Sequence, residues 1–281
     1  KSNPEATVWI SNPTWANHKA IFEAAGLKTA VYRYYDAPSH GMDSAGFLED
    51  LAKIDSKDVV VLHGCCHNPS GVDPDQAMWK QIADAAAAGG WLPLVDFAYQ
   101  GFGAGLSDDR QGLLTLVEKN IPLLVAASFS KNFGLYNERI GALTLIDVDG
   151  DSAEAAFSHV KISIRSNYSN PPSHGGSIVA TVLGSQELTA QWETELTGMR
   201  SRIADMRTGL TQGLADRGVA QDFSFIAGQN GMFSFAGITP EQVDRLKDEF
   251  GVYAVRSGRI NVAAITPSNL NPLCDAIAAV L

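Results

Sequence analysis

From residue 7 to about residue 147 the chain repeats one pattern: a short apolar run, a turn, then a stretch with apolar residues three or four apart. Short strands alternating with helices need crossover connections, so the pattern predicts a mainly parallel sheet with helices on both faces. Strands are expected over Thr7–Ile10, Ala30–Tyr35, Val59–His63, Leu92–Val95, Leu123–Ala127 and Gly141–Ile146. Helices are expected over Asn17–Ala25, Ser44–Ile54 and Pro74–Ala88. The last opens on a proline, whose fixed φ and missing N–H suit a first helical turn. Beyond Leu188, the residues Trp192, Leu196, Met199, Ile203, Met206, Leu210 and Leu214 form one helical stripe, which predicts a long helix leading out of the first unit. The remainder reads as strand over Met232–Phe235, helix over Pro240–Phe250, strand over Arg259–Ala263 and a last helix near Leu270–Val280. The expected fold class is α/β. A large doubly wound unit spans 1–198, and a smaller α+β unit over 199–281 begins inside the connecting helix.

Composition narrows the function. With 281 residues, 45% of them hydrophobic, the chain can bury a sizeable core. A formal net charge of −10 argues against nucleic acid or an anionic membrane surface as partner, so any bound anion must meet a local cluster of Arg or Lys. No apolar run approaches the ~18 residues that span a bilayer. The three cysteines, Cys65, Cys66 and Cys274, are too few to form a disulfide framework and fit a reducing, cytoplasmic setting. Because the chain opens at Lys1 without Met and runs almost at once into a strand, its natural beginning is expected to be missing.

In open α/β sheets ligands sit beyond the carboxyl ends of the strands. After the first expected strand comes SNPTWANH, with Trp15 and His18; after the third, HGCCHNPSG, with Asn68. Asp96 and Tyr99 follow the fourth in VDFAYQGF, and Ser128, Ser130, Lys131 and Arg139 follow the fifth in SFSKNFGLYNER. Singly, each has a bland reading: a loop lysine is usually solvated, a strand-end aspartate is often a cap, Trp15 suits a core, and Ser130 suits a turn. Together they suit a phosphorylated aldehyde cofactor. Such a cofactor needs an amine of lowered pKa, donors for its phosphate, and a carboxylate at its ring nitrogen, which Asp96 can supply. His63, Cys65, Cys66 and His67 suggest a metal cluster, but adjacent cysteines do not easily share one tetrahedral ion and no CxxC is present, so a buried strand end is expected instead. A dinucleotide-binding reading fails for want of GxGxxG after the first strand.

These segments, with IRSNYSNPP, NGMFSF and SGRINVA, resemble class I, fold-type I aminotransferases of the aspartate and aromatic amino acid subgroup, over essentially the whole chain. The resemblance implies a pyridoxal 5′-phosphate cofactor bound covalently by Lys131, which also shuttles the substrate's Cα proton. It implies that Asp96 pairs with the pyridinium nitrogen and His18 holds Asp96 from behind. By the same resemblance Tyr99 and Asn68 bond the phenolic oxygen, Trp15 stacks on the ring, and Ser128, Ser130 and Arg139 bind phosphate. Arg259 and Asn68 match the grip on the substrate α-carboxylate, and Phe233 walls the pocket. Arg165 matches the arginine that crosses from the partner subunit to a side-chain carboxylate, which implies a homodimer with shared active sites. The implied substrates are amino acids and 2-oxo acids.

Family members carry roughly a hundred further N-terminal residues, a domain-sized fraction by length, including a phosphate loop and part of the small domain. A chain without them is expected to bind cofactor weakly. The readings that compete with a transaminase are a truncated, inactive fragment and a lyase or decarboxylase of the same fold. The second would not need two arginines for two carboxylates, so Arg165 and Arg259 favour transamination.

Overall fold

The first strand, β1 (Thr7–Asn12), is followed by α1 (Asn17–Ala24) and β2 (Lys28–Arg33) in the computed structural model, which describes residues 3–281. Next come the two-residue strands β3 (Tyr35–Asp36) and β4 (Gly41–Met42), then α2 (Ser44–Leu51), β5 (Val59–His63), α3 (Gln76–Gly89), β6 (Leu92–Phe97) and α4 (Gln111–Glu118). Then follow β7 (Leu123–Ser128), β8 (Gly141–Ile146), α5 (Gly150–Asn167) and α6 (Ser173–Leu183). A long helix, α7 (Gln186–Asp216), leads to β9 (Phe233–Phe235), α8 (Pro240–Phe250), β10 (Arg259–Asn261) and α9 (Leu270–Val280).

Six strands form the main sheet in the order β2-β1-β5-β6-β7-β8. The β2-to-β7 pairs are parallel; β8 runs antiparallel to β7, pairing Ser128 with Gly141. Turns rather than a crossover helix fill the connection from Ser128 to Gly141, so the chain reverses there. From β1 the chain moves outward to β2 and returns on the other side to β5. The switch point therefore lies between β1 and β5, where an α/β sheet opens a crevice at its carboxyl edge.

Several boundaries differ from those expected. The strand expected to reach Tyr35 stops at Arg33, because Tyr35–Asp36 pairs antiparallel with Gly41–Met42. Asp36 fixes that hairpin by accepting hydrogen bonds from Ser39 N and Oγ. Pro74 is not in the first turn of α3: Asp75 is the N-cap, its carboxylate accepting from Met78 N, a bond that proline offers no side chain to make. Helix α2 ends at Leu51, short of Ile54, and β10 passes at Val262 into a 3-10 turn.

One contiguous core runs from Phe47, Ile82 and Leu116 under the sheet to Leu196, Ile203, Leu210, Leu246 and Ile277. The boundary expected near residue 198 would fall within α7, whose buried face takes in Leu196, Ile203, Leu210 and Leu214 from the expected stripe, while Met199 is exposed. Val8, Ile10 and Val61 form a separate cluster, with Leu94 packed against it. No helix among the described residues is long and apolar enough to cross a membrane.

Candidate active site

Strand alternation aims Asp96. Along β6 the buried residues are Pro93, Val95 and Phe97, so Asp96 faces the opposite side of the sheet, together with Leu94. Helix α1 lies on that side and presents buried His18, whose Nε2 is 3.0 Å from Asp96 Oδ2. With Nε2 donating to Asp96, His18 Nδ1 accepts from the Thr14 hydroxyl at 2.8 Å, and His63 Nε2, at 3.2 Å, donates to Thr14 Oγ1. Burial pushes the Asp96 carboxyl upward, but the hydrogen bond from His18, with His63, His18 and Lys131 nearby, outweighs it and holds the group below the ordinary carboxylate range. Burial drives His63 well below the usual histidine range and His67 down to about 3. Two imidazoles held neutral, those of His63 and His67, thus lie near one anionic carboxylate.

Lys131 follows β7 in a turn closed by Gly134 N donating to Lys131 O at 3.1 Å. Two contacts pin that turn: Trp192 Nε1 of α7 donates to Asn132 O at 2.7 Å, and Asn132 Nδ2 donates to Gln100 O at 3.2 Å. The Lys131 amine lies 4.7 Å from the centre of the Tyr99 ring. Burial lowers its pKa, Asp96 opposes that, and Arg139 adds to it, leaving the amine below the ordinary lysine value. Exposed Arg139 takes a left-handed backbone, φ 53°, after the 3-10 turn at Tyr136–Glu138, and its Nη1 donates to Tyr136 O at 2.8 Å. Such a backbone is uncommon outside glycine and concentrates at functional loops. Ser128 and Ser130 sit in the same loop, Ser130 N donating to Ser128 Oγ at 3.2 Å.

Asn68 bridges Tyr99 and Arg259. Its Nδ2 donates to Tyr99 OH at 3.4 Å, and its Oδ1 accepts from Arg259 Nη1 at 3.5 Å. The Arg259 guanidinium lies over the Phe233 ring, 4.7 Å from its centre, a position set by β9–β10 pairing of Arg259 opposite Phe235. A cavity of about 770 Å3 reaches Arg259 and Phe233 but none of Lys131, Asp96 or Tyr99.

Loops that are distant in sequence therefore bring together His18, Asn68, Asp96, Tyr99, Lys131, Arg259 and Phe233, with Ser128, Ser130 and Arg139 on the Lys131 loop. At 38% exposed, Trp15 is not the core aromatic of its bland reading; it meets His18 edge-on at 5.3 Å. Arg165 stands apart, exposed near the end of α5 and bonded to Ser169 Oγ.

Nor do the residues of the suspected metal cluster share one partner. His63 bonds Thr14, while His67 bonds Ser11 and Ser70. Cys65 and Cys66 lie near Asp109, whose oxygens already accept from the N–H groups of Gly101, Gly103, Ala104 and Gly105.

Residues 1–277 match the family described as aminotransferase class I and II. The chain belongs to that family. This aminotransferase is 54% identical over 281 residues to the aspartate aminotransferase of Salmonella typhi, covering 100% of this chain and 71% of that protein. It is 43% identical over 277 residues to the aromatic-amino-acid aminotransferase of Pseudomonas aeruginosa, covering 99% and 69%. The crystal structure of an aromatic-amino-acid aminotransferase from Burkholderia pseudomallei, covalently bound to pyridoxal phosphate, superposes with a TM-score of 0.98 at 49% identity, covering 100% of this chain and 70% of that one. Sequence reasoning missed two residues that join the cluster around His18. Thr14 lies inside SNPTWANH without distinction, and His63 drew notice only as a metal donor. Their signal, a hydroxyl between two histidines, exists only in three dimensions.

Proposed function

We propose that this chain is a pyridoxal 5′-phosphate-dependent transaminase that exchanges an amino group between aspartate, glutamate or an aromatic amino acid and 2-oxoglutarate. The observation that carries the reading is the meeting of Lys131, shifted toward its base form, with an Asp96 carboxylate held charged by His18.

The donor set fits the cofactor. Ser128 and Ser130 hydroxyls and the Arg139 guanidinium suit a phosphate. Asp96 suits a protonated ring nitrogen, Tyr99 and Asn68 a phenolic oxygen, and exposed Trp15 a ring face. When bound, pyridoxal phosphate supplies an electron-accepting ring that makes the substrate's Cα–H acidic. Lys131 Nζ, below its ordinary pKa, can be uncharged, as a nucleophile that binds an aldehyde must be, and can then take and return the proton at the substrate Cα. Arg259 and Asn68 grip the α-carboxylate, and Phe233 closes the pocket wall.

Arg165 serves the partner's site in a homodimer and receives the distal carboxylate of dicarboxylic substrates. Supporting this, none of the residues of α5 is buried, yet the helix exposes Phe157 and Ile162, with exposed Tyr168 just beyond it, an apolar display expected at an interface. Cys65, Cys66 and Cys274 are all free, in keeping with a cytoplasmic setting.

Borohydride reduction of the holoenzyme followed by peptide mapping tests the reading. The label is expected on Lys131, and aspartate is expected to convert the bound chromophore in the unreduced enzyme. A label on Lys161, or none, overturns it.

A further inference from the structure

Arg207, in the second half of α7, is 3% exposed, yet no carboxylate bonds it among the described residues. Its donors go instead to the carbonyls of Ile226 (3.1 Å), Asn230 (3.1 Å), Gly231 (2.8 Å) and Phe233 (2.8 Å), and to the Ser234 hydroxyl. A buried guanidinium is costly unless its N–H groups are satisfied. Here the satisfaction comes almost wholly from one stretch of main chain, the approach to and start of β9.

The same stretch is tied to the Asn68 loop. Asn230 N donates to Gly71 O at 2.7 Å and its Nδ2 to Asp73 Oδ2 at 3.2 Å, while the Asp73 carboxylate also accepts from Cys66 N and His67 N, both at 2.8 Å. Gly231, at φ +77°, lies so close that a Cβ there would meet Cys66 Cβ at 2.5 Å. The two segments thus form one clamp. From it project Phe233, beneath the Arg259 guanidinium, and Asn68, whose Oδ1 accepts from Arg259.

We infer that Arg207 is a positioning residue for substrate: by fixing the carbonyls of residues 226–233 it sets the spacing between Phe233 and Asn68 and so holds the Arg259 guanidinium in the orientation that receives a carboxylate. This rests on the reading of Arg259 as the α-carboxylate arm. Arg207 hydrogen-bonds none of Lys131, Asp96, Tyr99 or Arg139, so among the groups assigned to the cofactor only Asn68 lies within its reach, and cofactor Kd is measured beside KM for that reason.

The experiment compares Arg207→Lys, Arg207→Gln, Ser234→Ala and Arg259→Lys in the intact holoenzyme, measuring KM and kcat for aspartate and 2-oxoglutarate, cofactor Kd and the thermal midpoint. A lysine cannot span the five acceptors, so Arg207→Lys is expected to raise both KM values at least tenfold, with kcat within about threefold and cofactor Kd within about twofold of the parent. Ser234→Ala, the smaller change, removes one of the five acceptors; it is expected to raise KM about twofold to fivefold and decides the matter if neither Arg207 variant folds. Unchanged KM in every folded Arg207 variant, or in Ser234→Ala where that variant decides, overturns the inference. So does parallel loss of cofactor affinity, kcat and thermal midpoint, which would mark Arg207 as purely structural. If Arg259→Lys also leaves KM unchanged, the reading of Arg259 has failed; if it raises KM while the Arg207 and Ser234 variants do not, only the present inference has.

Discussion

His18 Nε2 lies 3.0 Å from Asp96 Oδ2, and the Thr14 hydroxyl behind it joins His18 to His63. The Asp96 carboxylate is thus held by a chain of buried partners that runs through His18 and Thr14 to His63. Removing the carboxylate and removing its support should have different signatures.

Asp96→Asn keeps the shape and removes the charge. Losing one preorganised electrostatic partner costs about 10²–10³ in rate, so single-turnover proton abstraction should slow by roughly two to three orders of magnitude at every pH. An unchanged rate in rapid-mixing absorbance would reduce Asp96 to a structural cap. His18→Phe instead removes the hydrogen bond that keeps the Asp96 pKa low. That pKa should rise, moving the acid limb of the rate profile toward neutral pH and leaving the rate at alkaline pH nearly intact.

The Lys131 amine lies below its ordinary pKa through burial and, secondarily, through Arg139, against the opposing pull of Asp96. Two substitutions should therefore move it in opposite senses. Arg139→Gln removes a cation and raises the pKa, so less amine is neutral at a given pH and aldehyde capture shifts alkaline. Asp96→Asn removes an anion and shifts it acid. Capture of unphosphorylated pyridoxal by apoenzyme, followed against pH, reads the amine without the phosphate contribution. Shifts of the same sign in both variants would contradict the assignment.

Asp109 is a structural counterpart to these residues. It accepts hydrogen bonds from four backbone N–H groups, those of Gly101, Gly103, Ala104 and Gly105. Asp109→Ala strands the buried Gly101 donor and three less buried donors of the loop after Tyr99 and should cost on the order of 2–4 kcal/mol, seen as a lower urea midpoint. In the fraction that remains folded, kcat should stay within about threefold of the parent. A loss below about 0.5 kcal/mol would show that water replaces the carboxylate without penalty.

Arg165→Ala should cost aspartate about two to four orders of magnitude in kcat/KM, because two charge-assisted hydrogen bonds worth ~1.5–3 kcal/mol each are lost, while phenylalanine suffers far less. Mixing Arg165→Ala with Lys131→Ala subunits decides where Arg165 acts. If it crosses the interface, each mixed dimer holds one site with both residues intact, and aspartate activity returns. Activity that stays absent on mixing assigns Arg165 to its own subunit; equal losses for both substrates remove it from specificity.

Local sequence settled the ladder of strands and helices, because each apolar period is a property of consecutive residues: β5, β8, α8 and α9 lie where the pattern set them. It also supplied the chemical cast, from Lys131 and Asp96 to Asn68 and Arg259, through short motifs at strand ends. Tertiary structure alone decided the reversal of β8 and the β3–β4 hairpin, where turn contacts override the period. It alone joined Thr14 and His63 to Asp96 and brought Arg207 to five acceptors between residues 226 and 234. The physical reason is the same in each case. A side chain's periodicity and chemical type are written beside it in the chain, whereas a hydrogen-bond partner across the fold is chosen only when loops far apart in sequence are packed to hydrogen-bonding distance.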